Sequence, residues 1–290
     1  MIVNNETELR VAILQKKPVY LADNIDLFNK LVILSNHYIN GNGKSIKFIH
    51  GGGIIISGNR NTICNLSIFD SERQGILISG HHNKIKNVLI ARCEDAGLQI
   101  FNGGHHNKII NCNSCYNSND RGSADGFARK LGSGKGNIFI GCSSYNNGDD
   151  GFDLFAAAAS VKLKKCEAYA NSKNGTGSGF KLGGFKKIDD LRSTIHHKLS
   201  HCISHSNGRY GFSSNNQIGT ITLKNCTSYD NAKGEFFFPK VSHPKAMNKG
   251  ELILGDSYLI KCIAGGICDL TGSIVKDVKI ENTLNFLREE

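Results

Sequence analysis

Along nearly the whole chain, apolar runs of three or four residues alternate with turns rich in Gly, Asn and Ser. Ile54-Ile55-Ile56, Ile76-Leu77-Ile78, Asn137-Ile138-Phe139-Ile140 and Ile221-Thr222-Leu223 are such runs. Their length and their β-branched content predict short strands. Helical periodicity is confined to the start, where Thr7 to Leu14 predicts one short amphipathic helix. Strands this short, with no helices between them, do not suit a doubly wound α/β sheet.

The turns repeat. Gly followed by an apolar residue recurs at Gly75-Ile76, Gly97-Leu98, Gly126-Phe127, Gly151-Phe152, Gly179-Phe180 and Gly211-Phe212, at intervals of about 22 to 32 residues. A second motif, Cys followed five residues later by Asn, occurs at Cys112/Asn117, Cys142/Asn147, Cys166/Asn171, Cys202/Asn207 and Cys226/Asn231. Leu66 and Val88 fill the Cys position in earlier repeats and Cys262 in a later one. Three residues after each Cys stand Cys115, Tyr145, Tyr169, His205 and Tyr229. A constant rung interrupted by loops of unequal length predicts an all-β chain: one right-handed parallel β-helix of about nine or ten coils. Residues 1–20, with the helix, are expected to cap the first coil, and residues 255–290 to form irregular last coils. No linker divides residues 1–290, so a single domain is expected.

Composition narrows the partners. Lys and Arg number 35 against 25 Asp and Glu, a net charge of +10. That balance favours an anionic partner. The basic residues are scattered and no nucleic-acid-binding motif is present, so an acidic polysaccharide is preferred to nucleic acid. No apolar run reaches membrane-spanning length, and a monomer is expected. The first twenty residues lack the pattern of a signal peptide, which leaves a cytoplasmic chain or a mature secreted form as the two expectations. The ten cysteines form no paired Cys-x-x-Cys set, and six share one inward column, which reads as stacked buried thiols rather than disulfides or a metal site.

The repeat also aligns chemistry. In a strand that follows the stacked Gly, the first residue points inward and the next outward. The outward column then reads Gln99, Ala128, Asp153, Lys181, Ser213, and the column just before the Gly reads Asp125, Asp150, Ser178. Asp149 adjoins the same corner. Four carboxylates so close repel one another, and one lysine cannot neutralise them. A hard divalent cation can. Ca²⁺ accepts six to eight oxygens in flexible geometry, whereas Mg²⁺ prefers a stricter octahedron.

The segments Asp125-Gly126-Phe127-Ala128, Gly148-Asp149-Asp150-Gly151-Phe152-Asp153 and Gly179-Phe180-Lys181-Leu182-Gly183-Gly184 resemble, in order and in coil spacing, the core motifs of polysaccharide lyase family 9, the pectate lyase group. The resemblance is clearest from Asn107 to Gly184. It implies that Asp125, Asp149, Asp150 and Asp153 bind a catalytic Ca²⁺, that Lys181 is the base, and that Lys130 contacts substrate. It also implies β-elimination on a uronate-containing polysaccharide, with pectate or polygalacturonate foremost and 4,5-unsaturated products, and it implies secretion. Lys130, Lys135, Lys186, Lys187 and Arg209 are expected near the same face, where they could grip neighbouring carboxylates, and Tyr210 and Phe185 could stack on sugar rings.

Two other readings stand beside it. A polygalacturonase-type hydrolase would use paired carboxylates without a metal, but the Gly-His-Gly and Arg-Ile-Lys segments of such enzymes are absent. A carbohydrate-binding β-helix without activity is the other. The pairs His81-His82, His105-His106 and His196-His197 read as turn residues stacked by the repeat, with a transition-metal site as the alternative.

Overall fold

The computed structural model describes residues 1–172, 177–184, 195–215 and 221–238, with backbone alone for 238 and 258–260. The chain winds as a parallel β-helix. One sheet stacks nine parallel strands: Leu31–Ile33, Ile54–Ile56, Ile76–Ile78, Leu98–Ile100, Phe127–Arg129, Phe152–Asp153, Phe180–Lys181, Tyr210–Ser213 and Gly234–Phe238. These rungs bound about eight turns, slightly fewer than the nine or ten expected. The rung Tyr258–Ile260 pairs antiparallel to Gly234–Phe238, so the parallel progression stops at Gly234–Phe238 among the described residues. The rest of the expected irregular C-terminal coils, with Cys262, lies outside the described residues.

The opposite wall is a sheet of two parallel columns. Thr62–Phe69 and Lys84–Ala91 run through both columns as single strands. Each turns its corner at one residue of positive φ, Asn65 at 53° and Asn87 at 54°. Asn tolerates the left-handed region because its short polar side chain bonds locally.

The helix Glu6–Leu14 closes the first coil. Asn5 caps it, its side-chain oxygen accepting from the Glu8 main-chain N–H at 3.0 Å. Leu9, Ala12 and Ile13 are its buried face, and they cover the apolar ends of strands that would otherwise be open to pairing. No described helix is long and apolar enough to cross a membrane.

Inside the helix, like residues stack on like. Phe127, Phe152, Phe180, Phe212 and Phe236 form one column with centroids 4.7–5.3 Å apart. The eight described cysteines are all buried and unpaired, and Cys112, Cys142, Cys166, Cys202 and Cys226 hold the inward column expected of them. Asn117, Asn147, Asn171, Asn207 and Asn231 form a ladder, each amide donating to the next side-chain oxygen at 2.8–3.0 Å. The ladder satisfies polar groups that the core would otherwise strand. It ends on Glu235, a buried carboxylate that accepts from the Asn231 side chain and from Ser228 Oγ. Repeat counting does not foresee this terminator, since Glu235 fills a position that is glycine in the rungs before it.

Candidate active site

The glycine that opens each rung is fixed by close packing. A Cβ on Gly126 would lie 1.8 Å from Ser144 Oγ, and one on Gly179 would lie 2.0 Å from Ser204 Oγ. Only glycine lets the backbone come this near the serine column and the Asn ladder. The next residue is a stacked Phe, so the residue after it must face outward. The register is as expected from the sequence: Gln99 pairs with Ala128, Ala128 with Asp153, Asp153 with Lys181 and Lys181 with Ser213.

Asp125 and Asp150 precede their glycines at the same corner. One oxygen of each carboxylate is held by main chain. Asp125 Oδ1 accepts from the Asp150 N–H at 3.2 Å, and Asp150 Oδ1 accepts from the Ser178 N–H at 2.7 Å. Asp153 Oδ1 accepts from the Phe155 N–H at 2.8 Å. The other oxygens converge on two ammonium groups. Lys130 Nζ lies 2.5 Å from Asp125 Oδ2 and 2.6 Å from Asp153 Oδ2, and Lys181 Nζ lies 2.9 Å from Asp150 Oδ2 and 3.4 Å from Asp153 Oδ2. The result is an alternating chain of Asp125, Lys130, Asp153, Lys181 and Asp150 across three coils. The three Asp side chains are at most 2% exposed, and the lysines 18% and 24%.

Burial sets the electrostatics. It raises the Asp125 carboxyl well above the usual carboxylate range; Lys130 opposes the rise, and Asp153, Asp150 and Asp149 add to it. Burial also raises Asp150, to about 7, against the pull of Lys181. Burial alone would lower the Lys181 ammonium, but Asp150 and Asp153 outweigh it and hold the pKa above the ordinary lysine value. Lys130 is raised in the same way by Asp125 and Asp153.

The cluster fits a hard divalent ion. One oxygen each from Asp125, Asp150 and Asp153 lies within 4.8 Å of the others. Opposed oxygens around a calcium ion, at 2.3–2.6 Å from it, are about 4.6–5.2 Å apart. Among the described residues, Asp125 Oδ2 and Asp150 Oδ2 accept no well-aligned hydrogen bond and meet the ammonium groups of Lys130 and Lys181. Asp149 adds a fourth carboxylate at the rim, so that, once ionised, the carboxylates of the cluster outnumber Lys130 and Lys181 among the described residues.

The remaining expected residues separate. Asp149 stands half-buried at the rim, outside the mutual reach of the other three, and its carboxyl is raised first by burial, with Lys181 opposing. Arg209 is exposed on the same side, felt by Asp149, with its guanidinium carbon 5.2 Å from the centre of the Tyr210 ring. Tyr210 stacks on Phe237 at 4.3 Å. Lys130 belongs to the carboxylate cluster itself. Lys135 is not at this face: its carbonyl accepts from the His106 N–H at the far end of the strands, because the loop after Phe127–Arg129 carries it there. Phe185, Lys186 and Lys187 lie outside the described residues. The sequence reading did not pick out Phe155, whose ring centre lies 5.8 Å from Lys181 Nζ. Nor did it pick out Gln74, which donates to Asp95 Oδ2 at 2.7 Å and Gln99 Oε1 at 3.2 Å and extends the polar face toward the N-terminus. Asp95 was legible in principle, since Glu94-Asp95-Ala96-Gly97 aligns with Gly148-Asp149-Asp150-Gly151.

Residues 28–248 match the family model described as Pel9A-like, right handed beta helix region. The chain belongs to this Pel9A-like β-helix family. Among its relatives, a protein named Pectate lyase L from Dickeya dadantii (strain 3937) is 38% identical over 148 residues, 47% of this chain and 33% of that one. A Pectate lyase L from Thermoclostridium stercorarium is 35% identical over 203 residues, 66% of this chain and 15% of that one. The chain thus spans a third or less of the length of these two relatives. The crystal structure of pectate lyase Pel9A superposes with a TM-score of 0.67 at 24% identity, covering 79% of this chain and 68% of that one, and establishes the shared right-handed fold. Within the Pel9A-like family frame, the Asp and Lys columns fall on three successive coils inside the matched segment.

Proposed function

We propose that the chain is a calcium-dependent pectate lyase that cleaves polygalacturonate by β-elimination and releases 4,5-unsaturated products. The observation that carries this reading is Lys181 Nζ, reachable from solvent and set between Asp150 Oδ2 and Asp153 Oδ2. Asp125, Asp150 and Asp153 would hold the ion, with Asp149 at the rim as the fourth carboxylate. When bound, Ca²⁺ supplies positive charge that offsets both the Asp cluster and the substrate carboxylate, and so weakens the attraction that keeps Lys181 protonated.

The residues of the chain then have separable tasks. Lys130 stays charged between Asp125 and Asp153 and fixes the direction of both carboxylates. Arg209, exposed beside the site, grips the carboxylate of a neighbouring sugar. Lys181 in its neutral form accepts the proton from C5 of the uronate. The electron pair of that C–H bond forms the C4–C5 double bond, and the glycosidic oxygen leaves C4 and takes a proton from water. Asp150 and Asp153 stabilise the ammonium that results. Tyr210, next to Arg209, would offer its ring to a sugar face.

The reading is tested by following the ultraviolet absorbance of the unsaturated uronate on a panel of anionic polysaccharides, with Ca²⁺ or with EDTA. Absorbance should rise on polygalacturonate with Ca²⁺ and stay flat with EDTA and with Lys181→Ala. Binding of polygalacturonate without any absorbance change would instead favour a carbohydrate-binding β-helix, and cleavage that survives EDTA would favour a hydrolase.

A further inference from the structure

At the end of the strand sheet opposite Asp125 and Asp150, the chain turns into the second wall, and two histidine pairs meet there. His81 and His82 follow the rung Ile76–Ile78, and His105 and His106 follow the rung Leu98–Ile100. A second amide ladder locks these turns together. The Asn61 side chain donates to Asn83 at 2.9 Å, the Asn83 N–H to Asn107 at 2.9 Å, and the Asn107 side chain to Asn137 at 3.1 Å. The His82 N–H also donates to the His105 carbonyl at 3.1 Å. The imidazoles are therefore stacked by the backbone: His81 on His105 with centroids 4.5 Å apart, and His82 on His106 at 4.9 Å.

Each pair has the same internal geometry. The two rings stand nearly perpendicular, at 84° and 85°. Their Nδ1 atoms face each other, at 2.9 Å in His81–His82 and 2.8 Å in His105–His106. Two neutral imidazoles aimed Nδ1 to Nδ1 make at most one N–H···N bond, and with both protons on Nε2 they present two lone pairs to one point. Desolvation and the neighbouring imidazoles push His82 and His105 below the ordinary histidine pKa, with Arg60 adding for His82 and Lys135 for His105.

We propose that His81, His82, His105 and His106 form a binding site for a late first-row divalent metal ion, Cu²⁺ or Ni²⁺ ahead of Zn²⁺. One nitrogen each from His81, His82 and His105 already lies within 4.8 Å of the others. Nitrogens about 2.0–2.1 Å from a metal are about 2.9 Å apart on a square-planar edge and about 3.3–3.4 Å apart on a tetrahedral one. The Nδ1 pairs match the square-planar edge. Imidazole donors suit these metals, and affinity rises along the series to copper. Closing on one ion requires the two pairs to tilt together from their stacked separation, and the partly exposed rings have room to do so. On its other side the His106 ring packs directly against Gly136, where a Cβ would lie 2.5 Å from it. The quartet is bounded on both sides, because the same turn carries Asn59 and Arg60 one coil before and Lys135 and Gly136 one coil after. Arg60 and Lys135 are exposed, so their charges can point away. A single ion here would staple two successive coils, and an ion bound only by the folded chain stabilises it.

The site is independent of the carboxylate cluster, so it is tested with that cluster saturated. The full chain in excess Ca²⁺ is titrated with Cu²⁺ alone and then with Ni²⁺ alone, by calorimetry and by electron paramagnetic resonance of the copper complex. One equivalent of Cu²⁺ should bind, with nitrogen hyperfine structure and a raised unfolding midpoint. Affinity should fall at least tenfold in His105→Gln and in His82→Gln, and remain unchanged in His50→Gln, a histidine elsewhere on the surface. Both ring variants are checked for wild-type circular dichroism, so a lost fold cannot be mistaken for a lost ligand. Copper binding that survives both substitutions, a spectrum without nitrogen coupling, or no binding in excess Ca²⁺ would overturn the proposal and leave the quartet as stacked turn residues.

Discussion

Lys181 Nζ lies 3.4 Å from Asp153 Oδ2, and the two residues are cross-strand partners on successive coils. Their pairing places an amine and a carboxylate on one wall with no intervening side chain. It also sets the problem the site must solve, because Asp150 and Asp153 hold the Lys181 proton more tightly than water does. An amine that serves as base must shed that proton, whereas an amine that serves only as counter-ion need not. Lys181→Arg separates the two roles. Arginine keeps the positive charge between the carboxylates but stays protonated at any working pH. Turnover on polygalacturonate should fall by roughly 10²–10⁴-fold in both Lys181→Ala and Lys181→Arg, with Ca²⁺ binding retained. An arginine variant with near wild-type turnover would remove Lys181 from the base role.

Calcium affinity should depend on the three buried carboxylates one by one. Asn in place of Asp125, Asp150 or Asp153 keeps the shape and the main-chain bond to Oδ1 but removes a charge. Each variant is expected to weaken Ca²⁺ at least tenfold by calorimetry, and to recover part of its activity at high Ca²⁺. Chelation should abolish turnover and added Ca²⁺ should restore it. Equal Ca²⁺ affinity in Asp150→Asn and wild type would argue that the triad is a buried ion-pair network only.

The β-helix and the residues on its site face could be read from the chain because a solenoid converts sequence spacing directly into spatial register. Gly126-Phe127, Gly151-Phe152 and Gly179-Phe180 stack as their repeat demands, and Asp153 therefore meets Lys181. What spacing does not encode is the direction of long or branched side chains once they leave the rung. Lys130 folds back between Asp125 and Asp153, and only the balance of buried charge explains why. Lys135 leaves the face altogether because loop length carries it to the other end of the strand. Glu235 was invisible for a different reason: it breaks the glycine column, and its role as terminator of the Asn ladder needs the three-dimensional end of that ladder to be seen.

The ladder predicts a stability loss with a known address. Asn171 Oδ1 accepts from the Asn147 side chain at 2.9 Å and from the Asn147 main-chain N–H at 3.2 Å, and its own amide donates to Asn207 and to the Ser144 carbonyl. Asn171→Ala leaves the buried Asn147 N–H without a partner, which costs about 1–3 kcal/mol. The urea midpoint should drop with the slope of the transition unchanged. Gly126→Ala should act through sterics instead, because its Cβ would collide with Ser144 Oγ; overpacking of this kind costs about 1–3 kcal/mol. A midpoint unmoved by either change would mean that the column can relax around it.

Acid should weaken the fold through His197. This ring is fully buried, and its Nδ1 accepts from the Val161 N–H at 3.2 Å, so the neutral form with its proton on Nε2 is the one the fold requires. Burial lowers its pKa from 6.5 to about 3, and the nearby Arg129 and His196 add to the shift. Arg129 is itself buried, its guanidinium donating to the carbonyls of Ser133, Gly134 and Ala159, so a second cation would have no counter-charge there. The depressed folded pKa fixes the sign. Between pH 6.5 and 3 the unfolded chain binds a proton at this ring that the folded chain refuses, so stability is intact above pH 6.5 and declines as pH falls through that window. The slope from this one group approaches about 1.4 kcal/mol per pH unit. Urea titrations at pH 7 and pH 5 should show the loss in wild type, and a smaller loss in His197→Gln, whose side chain carries no titrating group. An equal loss in the two proteins would place the acid sensitivity elsewhere, in the carboxylates of the surface and of the site.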